Sequence, residues 1–417
     1  MLRQFIIDHQ DDDVAQLALQ RNRYPMLSDS DFRFCLQQID GRQRTRDKLP
    51  TFATIDGWLY PQRLNLEQCS SERTARFKAS LLHSSTPSLL HSSTPSLLID
   101  CTGGYGVDTF FMSEVAAETH YFEQNTDLAA IADHNFRLAG KSLHCHPEPF
   151  TPSLLHSFTP SLLLYLDPAR RDNHGGKVFR LEDCTPNVID IIRSIRLIRE
   201  QKDSSIRILL KLSPMLDFHQ AIAQLGGSWD VYVVSVSNEV KELLLLSEGT
   251  GLIHAVMLST DGDHVFTFTP DEESSAEVWY LLPDEPLEGL YVFEPDAALL
   301  KAGAFRLISA RFGLMKADPN THLYFSSQPP TAIEQSSNLQ IRNLQIPKMR
   351  SWQILGVYTR TKDVQRACTR ANILTRNYVL SADALRKQLR LKDGGDDYII
   401  GCRIADKPLL LHCRRLQ

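Results

Sequence analysis

Leu97-Leu98-Ile99-Asp100-Cys101-Thr102-Gly103-Gly104-Tyr105-Gly106-Val107-Asp108 runs from a short apolar burst through three glycines into an amphipathic segment. That order reads as a strand, a tight turn and a helix start. Glycine lets the backbone turn sharply and approach a ligand closely, and the N–H groups that open a helix have no partner within it. A nucleotide-like ligand is therefore expected. The next apolar run ends in Tyr121-Phe122-Glu123-Gln124, which puts Glu123 23 residues after Asp100 at a second strand tip. A carboxylate there can accept both hydroxyls of a ribose.

Outward from this turn the pattern repeats as LLIDC, THYFE, SLHCH, LLLYLD, IRILLKL, VYVVSVS and LIHAVML, between Leu97 and about Ser259. Short apolar runs alternating with helical patterns mark βαβ units, so a mostly parallel, seven-stranded sheet with helices on both faces is expected. Residues 1–75 lack period-2 alternation and read as short helices, with Asp11, Asp12 and Asp13 as a solvated helix start. Residues 279–326 suit a small α+β piece whose helix opens at Pro295, and 342–417 read βαβαββ, a second and separate α/β module. The expected divisions are thus 1–75, 76–269, 279–326 and 342–417.

An eight-residue unit, LLHSSTPS, fills Leu81–Ser88 and again Leu89–Ser96, and an imperfect copy spans Thr151–Leu163. A period of eight fits neither helix nor strand, so these insertions at 81–96 and 151–163 are expected to be loops, with His83 and His91 exposed in them. Each leads into the N-terminal end of a strand, which in an open parallel sheet is the end away from ligands.

A third element stands at the fourth strand, Leu164-Tyr165-Leu166-Asp167-Pro168-Ala169-Arg170-Arg171-Asp172. Polar residues leaving a buried strand tip beside the crevice are where an acceptor would be held. Dinucleotide oxidoreductases share this geometry but carry G-x-G-x-x-G, whereas here G-G-x-G is followed two residues later by Asp108. Asp100, leading into the turn, can hold a cationic ligand. That favours a sulfonium over a pyrophosphate.

These residues resemble a bacterial group of class I S-adenosylmethionine-dependent methyltransferases with a C-terminal THUMP-like domain. The resemblance rests on EQCSSERTARFKA (Glu67–Ala79), DCTGGYGVDTFF (Asp100–Phe111), YFEQN (Tyr121–Asn125), LDPARRDNHGGKVFRLEDCTPNV (Leu166–Val188), LLKLSPMLDFHQA (Leu209–Ala221), VSVSNEVKELL (Val234–Leu244) and LKDGGDDYIIGCRI (Leu391–Ile404). It covers most of the chain after about Leu49. The resemblance implies a Rossmann-like catalytic domain, a small ferredoxin-like domain and a THUMP-like module, with S-adenosylmethionine as cofactor. Asp100, Gly103, Gly104 and Gly106 would hold its methionine end and Glu123 its ribose, with Thr102, Asp108 and Gln124 completing the set. Such enzymes place an acid or amide after the third strand for the adenine amine; here His146-Pro147-Glu148-Pro149 runs into the repeat and leaves Glu148 as the candidate. Pro147, Pro149, Pro152 and Pro160 argue against a long helix before the fourth strand.

Methyl transfer from a sulfonium is an in-line displacement to which a protein contributes positioning and desolvation. Asp167-Pro168-Ala169-Arg170 lacks the stacking ring of exocyclic-amine methyltransferases, and no cysteine follows Asp167 to serve as a base-C5 nucleophile. Cys184 reads as a buried structural residue. Asp167 is expected to orient the acceptor or take its proton, with Pro168, Arg170 and Lys211 in the catalytic set. Arg170 or Arg171 would meet a substrate phosphate, or else pair with Asp172 or Asp183. Lys211, in an otherwise apolar strand, calls for a salt-bridge partner or an active-site role. Asn238 and Glu239 either border the cleft or cap the next helix. His144-Cys145-His146 could turn two imidazoles one way, but with no third ligand in sight no metal is expected.

From Ile341 onward the chain has 16 Lys plus Arg against 6 Asp plus Glu, within a net charge of -5, so a basic module ends an acidic body. Lys362, Arg366 and Arg370 recur every four residues as one expected helical stripe, and Arg386, Lys387 and Arg390 form a second cluster. Such faces suit phosphate backbones, and by resemblance THUMP-like domains bind RNA. Structured RNA, rRNA or tRNA, is the expected acceptor and partner. The alternatives are methyl transfer to protein or a small molecule, and an RNA-binding protein that retains the pocket without turnover.

The 417 residues suit two to four domains, and 42% hydrophobic with 23% charged residues excludes wholesale disorder and collagen-like repeats. MLRQFIIDHQDDD lacks a signal-peptide core, no apolar run spans a bilayer, and eight dispersed cysteines form no C-x-x-C pair. A cytoplasmic protein in a reducing compartment is expected.

Overall fold

Residues 1–83, 97–157, 161–170, 181, 184–201, 205–282, 284–331 and 349–416 are those described in the computed structural model. They belong to two units, Met1–Trp229 with Leu244–Gly249, and Asp230–Leu243 with Thr250–Gln417.

In the first unit the N-terminal stretch is helical, as its caps predict. Ser28 accepts the Asp31 N–H at 3.1 Å ahead of the helix Asp29–Thr45, and Pro50 opens the helix Pro50–Thr54 where a missing N–H costs nothing. These helices bury Cys35, Ile39 and Phe52, and Phe52 stacks on Trp58 at 4.1 Å. The helix Glu72–His83 takes in the first three residues of the repeat, so His83 ends a helix and does not lie in a loop. The rest of those two copies, His91 included, lies outside the described residues.

The strands of this unit are β1 (Leu97–Asp100), β2 (Glu118–Phe122), β3 (His144–His146), β4 (Ser161–Leu166), β5 (Ala169–Arg170), β6 (Cys184–Thr185) and β7 (Ser205–Leu212). β1 pairs in parallel with β2 and β4, β2 with β3, and β4 with β7. The order β3-β2-β1-β4-β7 leaves β3 at the edge and reverses direction at β1. Ligands bind an open α/β sheet at such a switch point, outside the C-terminal strand tips. Between β3 and β4 the described residues hold only a 3-10 turn, Pro152–Ser157, in line with the prolines there. β5 and β6 form a two-residue antiparallel ladder just beyond β4.

The chain continues with β8 (Trp229–Val236), β9 (Glu239–Ser247), whose residues 244–247 belong to the first unit, β10 (Ile253–Leu258) and β11 (His264–Phe268), where β10 is parallel to β8 and antiparallel to β11. Glu239 opens a strand and caps no helix, because Ser237 and Asn238 both take positive φ, 53° and 63°. Two left-handed residues in succession make the turn that matches strand twist and sends the chain back as a hairpin. β9 is a strand beyond the seven expected, and β11 lies in the run GDHVFTF, which reads as a hairpin and pairs antiparallel with β10.

A second sheet contains β12 (Tyr291–Pro295), β13 (Met315–Asp318), β14 (Thr321–Ser326), β15 (Met349–Tyr358), β16 (Asn372–Arg376), β17 (Asp397–Ile404) and β18 (Lys407–Arg415), in the order β13-β14-β12-β15-β18-β17-β16. The antiparallel pairing of β12 with β15 joins into one sheet the two pieces expected to be separate. Pro295 ends β12, and Asp296, accepting the Ala298 N–H at 2.8 Å, caps the helix Ala297–Ala302. The βαβαββ order holds from β15 to β18, but its second strand is Asn372–Arg376, upstream of the apolar pair Tyr378-Val379. Successive residues of β17 serve both faces: Ile399 packs with Val364, Leu385 and Leu389, and Ile400 with Val292, Phe325 and Trp352.

Candidate active site

Backbone hydrogen bonds hold the glycine turn on its strands: Cys101 N–H donates to the Tyr165 carbonyl at 3.0 Å and Gly103 N–H to the Phe122 carbonyl at 2.8 Å. A Cβ on Gly103 would lie 2.1 Å from Cε2 of buried Tyr121, and one on Gly106 (φ 81°) 2.5 Å from Cζ of Phe136. Packing alone demands glycine at both. At Gly104 (φ 55°) a Cβ would meet only the Thr102 carbonyl oxygen, at 3.8 Å, so the Cα of Gly104 faces open space, while its carbonyl accepts the Tyr121 hydroxyl at 2.5 Å. Alanine at 103 is expected to cost about 1–3 kcal/mol by overpacking. Alanine at Gly140 (φ 70°, nothing within 4 Å) costs only its left-handed backbone, about 1 kcal/mol. Equal losses at the two positions in thermal melts would sink the packing account.

Glu123 is half-buried at the tip of β2. Its Oε2 accepts the Gly104 N–H at 2.8 Å and its Oε1 the Asn125 N–H at 2.7 Å, so the carboxylate is pinned beside the open turn. Asp100 is buried; it accepts the Thr102 N–H at 3.0 Å and the Thr109 hydroxyl. Burial pushes its carboxyl up to about 7, against those two hydrogen bonds. An acid whose pKa is raised by folding stabilises the fold most below its ordinary range. That contribution is lost as pH rises from the ordinary carboxylate range through about 7. Urea midpoints between pH 5 and 8 should therefore fall less steeply in Asp100→Asn than in the parent; parallel slopes would refute it.

Below the turn lies a chain of charges. Asp108 faces Lys78 at 3.1 Å and Lys211 at 3.9 Å, and accepts the hydroxyls of Ser70 at 2.8 Å and Tyr165 at 2.6 Å. Lys211 Nζ then reaches Asp167 at 2.6 Å, and the Asp167 N–H donates to Thr102 Oγ1 at 2.6 Å. Side-chain exposure rises along the chain from 0% at Lys78 through 11% at Lys211 to 37% at Asp167. The network thus meets solvent at the β4 tip. Burial pushes the Asp108 carboxyl up, but Lys78, Lys211 and the two hydroxyls outweigh it and hold the group below its ordinary range. At Asp167, although part of the side chain reaches solvent, desolvation by the surrounding protein outweighs Lys211, and Asp108 adds to the rise, so this carboxyl is raised. Two acids with opposite shifts suit a fixed counter-ion and a proton acceptor.

Other expected residues fall less simply. Asp108, expected toward the cofactor, is engaged by Lys78, Ser70 and Tyr165. Gln124 and Glu148 are exposed, and Pro168 is half-buried beside Asp167. Arg170 is opposite Cys184 in the β5–β6 ladder, which leaves Cys184 half-buried and not in the core. Arg171, Asp172 and Asp183 lie outside the described residues. Asn238 does cap a helix, though a distant one, accepting the Ala297 N–H at 2.9 Å. The helix Thr361–Ala367 ends before Arg370, so the expected stripe holds only Lys362 and Arg366. His144 does have neighbours, Glu118 and His120 of β2. Lys78, Ser70 and Tyr165 were missed. Lys78 carried a legible signal, for it interrupts the apolar stripe of Ala75, Ala79 and Leu82 on one helix.

Comparison with known proteins agrees with this geometry. Residues 291–332 match a family model for a ferredoxin-like domain and 349–415 one for a THUMP-like domain. Across 84% of this chain and 86% of its own length, a Mycobacterium tuberculosis protein described as an uncharacterized S-adenosylmethionine-dependent methyltransferase is 25% identical. A crystal structure from Porphyromonas gingivalis W83, described as that of a methyltransferase, superposes with a TM-score of 0.81 at 28% identity, covering 100% of this chain and 98% of that one. Fold, switch-point turn and relatives define a class I methyltransferase whose cofactor is S-adenosylmethionine. Within that class, the chain carries regions similar to ferredoxin-like and THUMP-like domains, at 291–332 and 349–415. The open backbone at Gly104 and the pinned Glu123 carboxylate fit such a cofactor. Among the described residues no helix is long and apolar enough to cross a membrane.

Proposed function

We propose that this enzyme methylates structured RNA, rRNA or tRNA, in the cytoplasm, with catalysis in residues 76–269 and RNA held by 342–417. The observation that carries the RNA reading is the set of exposed cations on the region matching a THUMP-like domain: Lys362, Arg366, Arg370, Lys387 and Arg390. Arg386 contributes less, because Asp383 at 2.6 Å and Asp393 at 3.0 Å already engage it. S-adenosylmethionine supplies a methyl group on a sulfonium, which an acceptor attacks in line with the leaving sulfur. The turn at Gly103, Gly104 and Gly106 receives its methionine end, and Glu123 takes the ribose hydroxyls. Asp100, expected to hold the methionine end with the glycines, is buried and hydrogen-bonded to Thr102 and Thr109, so it braces the turn from beneath. Asp167, aimed by Lys211, takes the proton the acceptor sheds, and Arg170 or Arg171 meets a substrate phosphate.

The experiment is transfer of tritiated methyl groups from S-adenosylmethionine to total RNA at increasing salt. Label is expected in RNA, with transfer falling steeply as salt displaces phosphate contacts. Label confined to protein would replace RNA by a protein acceptor.

A further inference from the structure

Away from the glycine turn, β2 and the edge strand β3 carry a second cluster. The two strands run parallel with His120 opposite His144, and Glu118 precedes His120 by two residues, on the same face. Glu118 Oε1 lies 2.9 Å from His120 Nε2 and 3.6 Å from His144 Nε2, and the three ligand atoms all fall within 4.8 Å of one another. In a tetrahedral site with metal–ligand bonds of about 2.0–2.1 Å, neighbouring ligand atoms are roughly 3.3 Å apart. The observed distances bracket that spacing.

The surroundings resemble those of an oriented ligand set. His120 Nδ1 is 2.9 Å from His146 Nε2, which fixes the ring through its second nitrogen. His146 is itself held, stacked on Phe122 at 4.2 Å with 9° between the rings. The His144 ring lies 4.6 Å from that of His120. Access is open: the Glu118 and His144 side chains are 52% and 61% exposed, while His120, at 11%, anchors the set in the sheet.

We propose that Glu118, His120 and His144 bind a divalent transition metal of the Zn²⁺ class, with water completing the coordination. Two imidazoles and one carboxylate match the borderline preference of such ions, whereas Ca²⁺ and Mg²⁺ require all-oxygen sets. The ion would clip the three-residue edge strand to β2. Because His146 accepts the Glu123 N–H on its carbonyl at 3.1 Å, the same clip steadies the strand tip that carries Glu123.

The test uses the untagged full chain, stripped with chelator and titrated with Co²⁺, then Zn²⁺. One equivalent of Co²⁺ should bind with visible d–d absorption that Zn²⁺ abolishes, and Mg²⁺ should not compete. His144→Ala and Glu118→Gln, both at exposed side chains, should each lose that absorption. His146→Phe should weaken Zn²⁺ by about 10- to 100-fold, as expected for a residue that orients a ligand. Absence of saturable Co²⁺ and Zn²⁺ binding overturns the proposal, as does binding that survives the His144→Ala, Glu118→Gln pair or is displaced by Mg²⁺.

Discussion

Asp167→Asn should slow methyl transfer to RNA by roughly 10²–10⁴-fold while S-adenosylmethionine still binds. The amide keeps the size of the carboxylate but cannot take a proton. The proposed cofactor cradle at Gly104 and Glu123 belongs to other strand tips, so equilibrium binding of the cofactor tests whether the site survives. The carboxyl of Asp167 is raised by burial against the pull of Lys211, so the rate should climb with pH through a value above the ordinary carboxylate range. Lys211→Met removes the cation 2.6 Å away that opposes that rise. Its rising limb should therefore shift to higher pH. A structural salt bridge predicts lower stability but an unmoved limb, and that outcome would remove Asp167 from catalysis.

Lys78→Met should destabilise the protein by about 3 kcal/mol, because it leaves a buried carboxylate without its nearest cation. Lys78 is fully buried, 3.1 Å from Asp108, and the remaining Lys211 stands at 3.9 Å. The cost should depend on pH in a definite sense. Asp108 has its folded pKa depressed, so the stability it contributes is present above its ordinary range and disappears as pH falls through the folded value. The penalty of Lys78→Met should shrink in acid accordingly. Adding Asp108→Asn keeps an acceptor for the Ser70 and Tyr165 hydroxyls and removes the uncompensated charge, so the double variant should recover most of the loss. Urea midpoints decide: a double variant no more stable than Lys78→Met would mean that lost packing, not charge, sets the cost.

The turn from Asp100 to Asp108 and the acid at Glu123 were legible because each depends on its own strand and the next one in the chain. Glycine at 103 and 106 and a carboxylate at a strand tip are local demands, and parallel pairing of consecutive strands delivers them to one place. Lys211 was legible as a problem: a lysine in an apolar strand must be paired. Its partner was not, since Asp167 is 44 residues earlier and Ser70 141 residues earlier. β9 was missed because its apolar run, Leu243–Leu246, has no strict alternation, and only the left-handed Ser237 and Asn238 decide that it is a hairpin strand. The shared second sheet was missed for a related reason. Backbone pairing of β12 with β15 leaves no mark in side-chain periodicity.

By itself the sequence determined a mostly parallel α/β core with a glycine-rich turn after its first strand, followed by a basic module, because periodicity, glycines and charge act over a few residues. Only the tertiary structure decided which buried charges meet, and hence that Asp108 is a counter-ion and Asp167 the open end of a lysine-linked chain. It also decided that Glu118, His120 and His144 share one face of an edge. Electrostatic character depends on distance through space and on solvent exclusion, and neither exists until the chain has closed on itself.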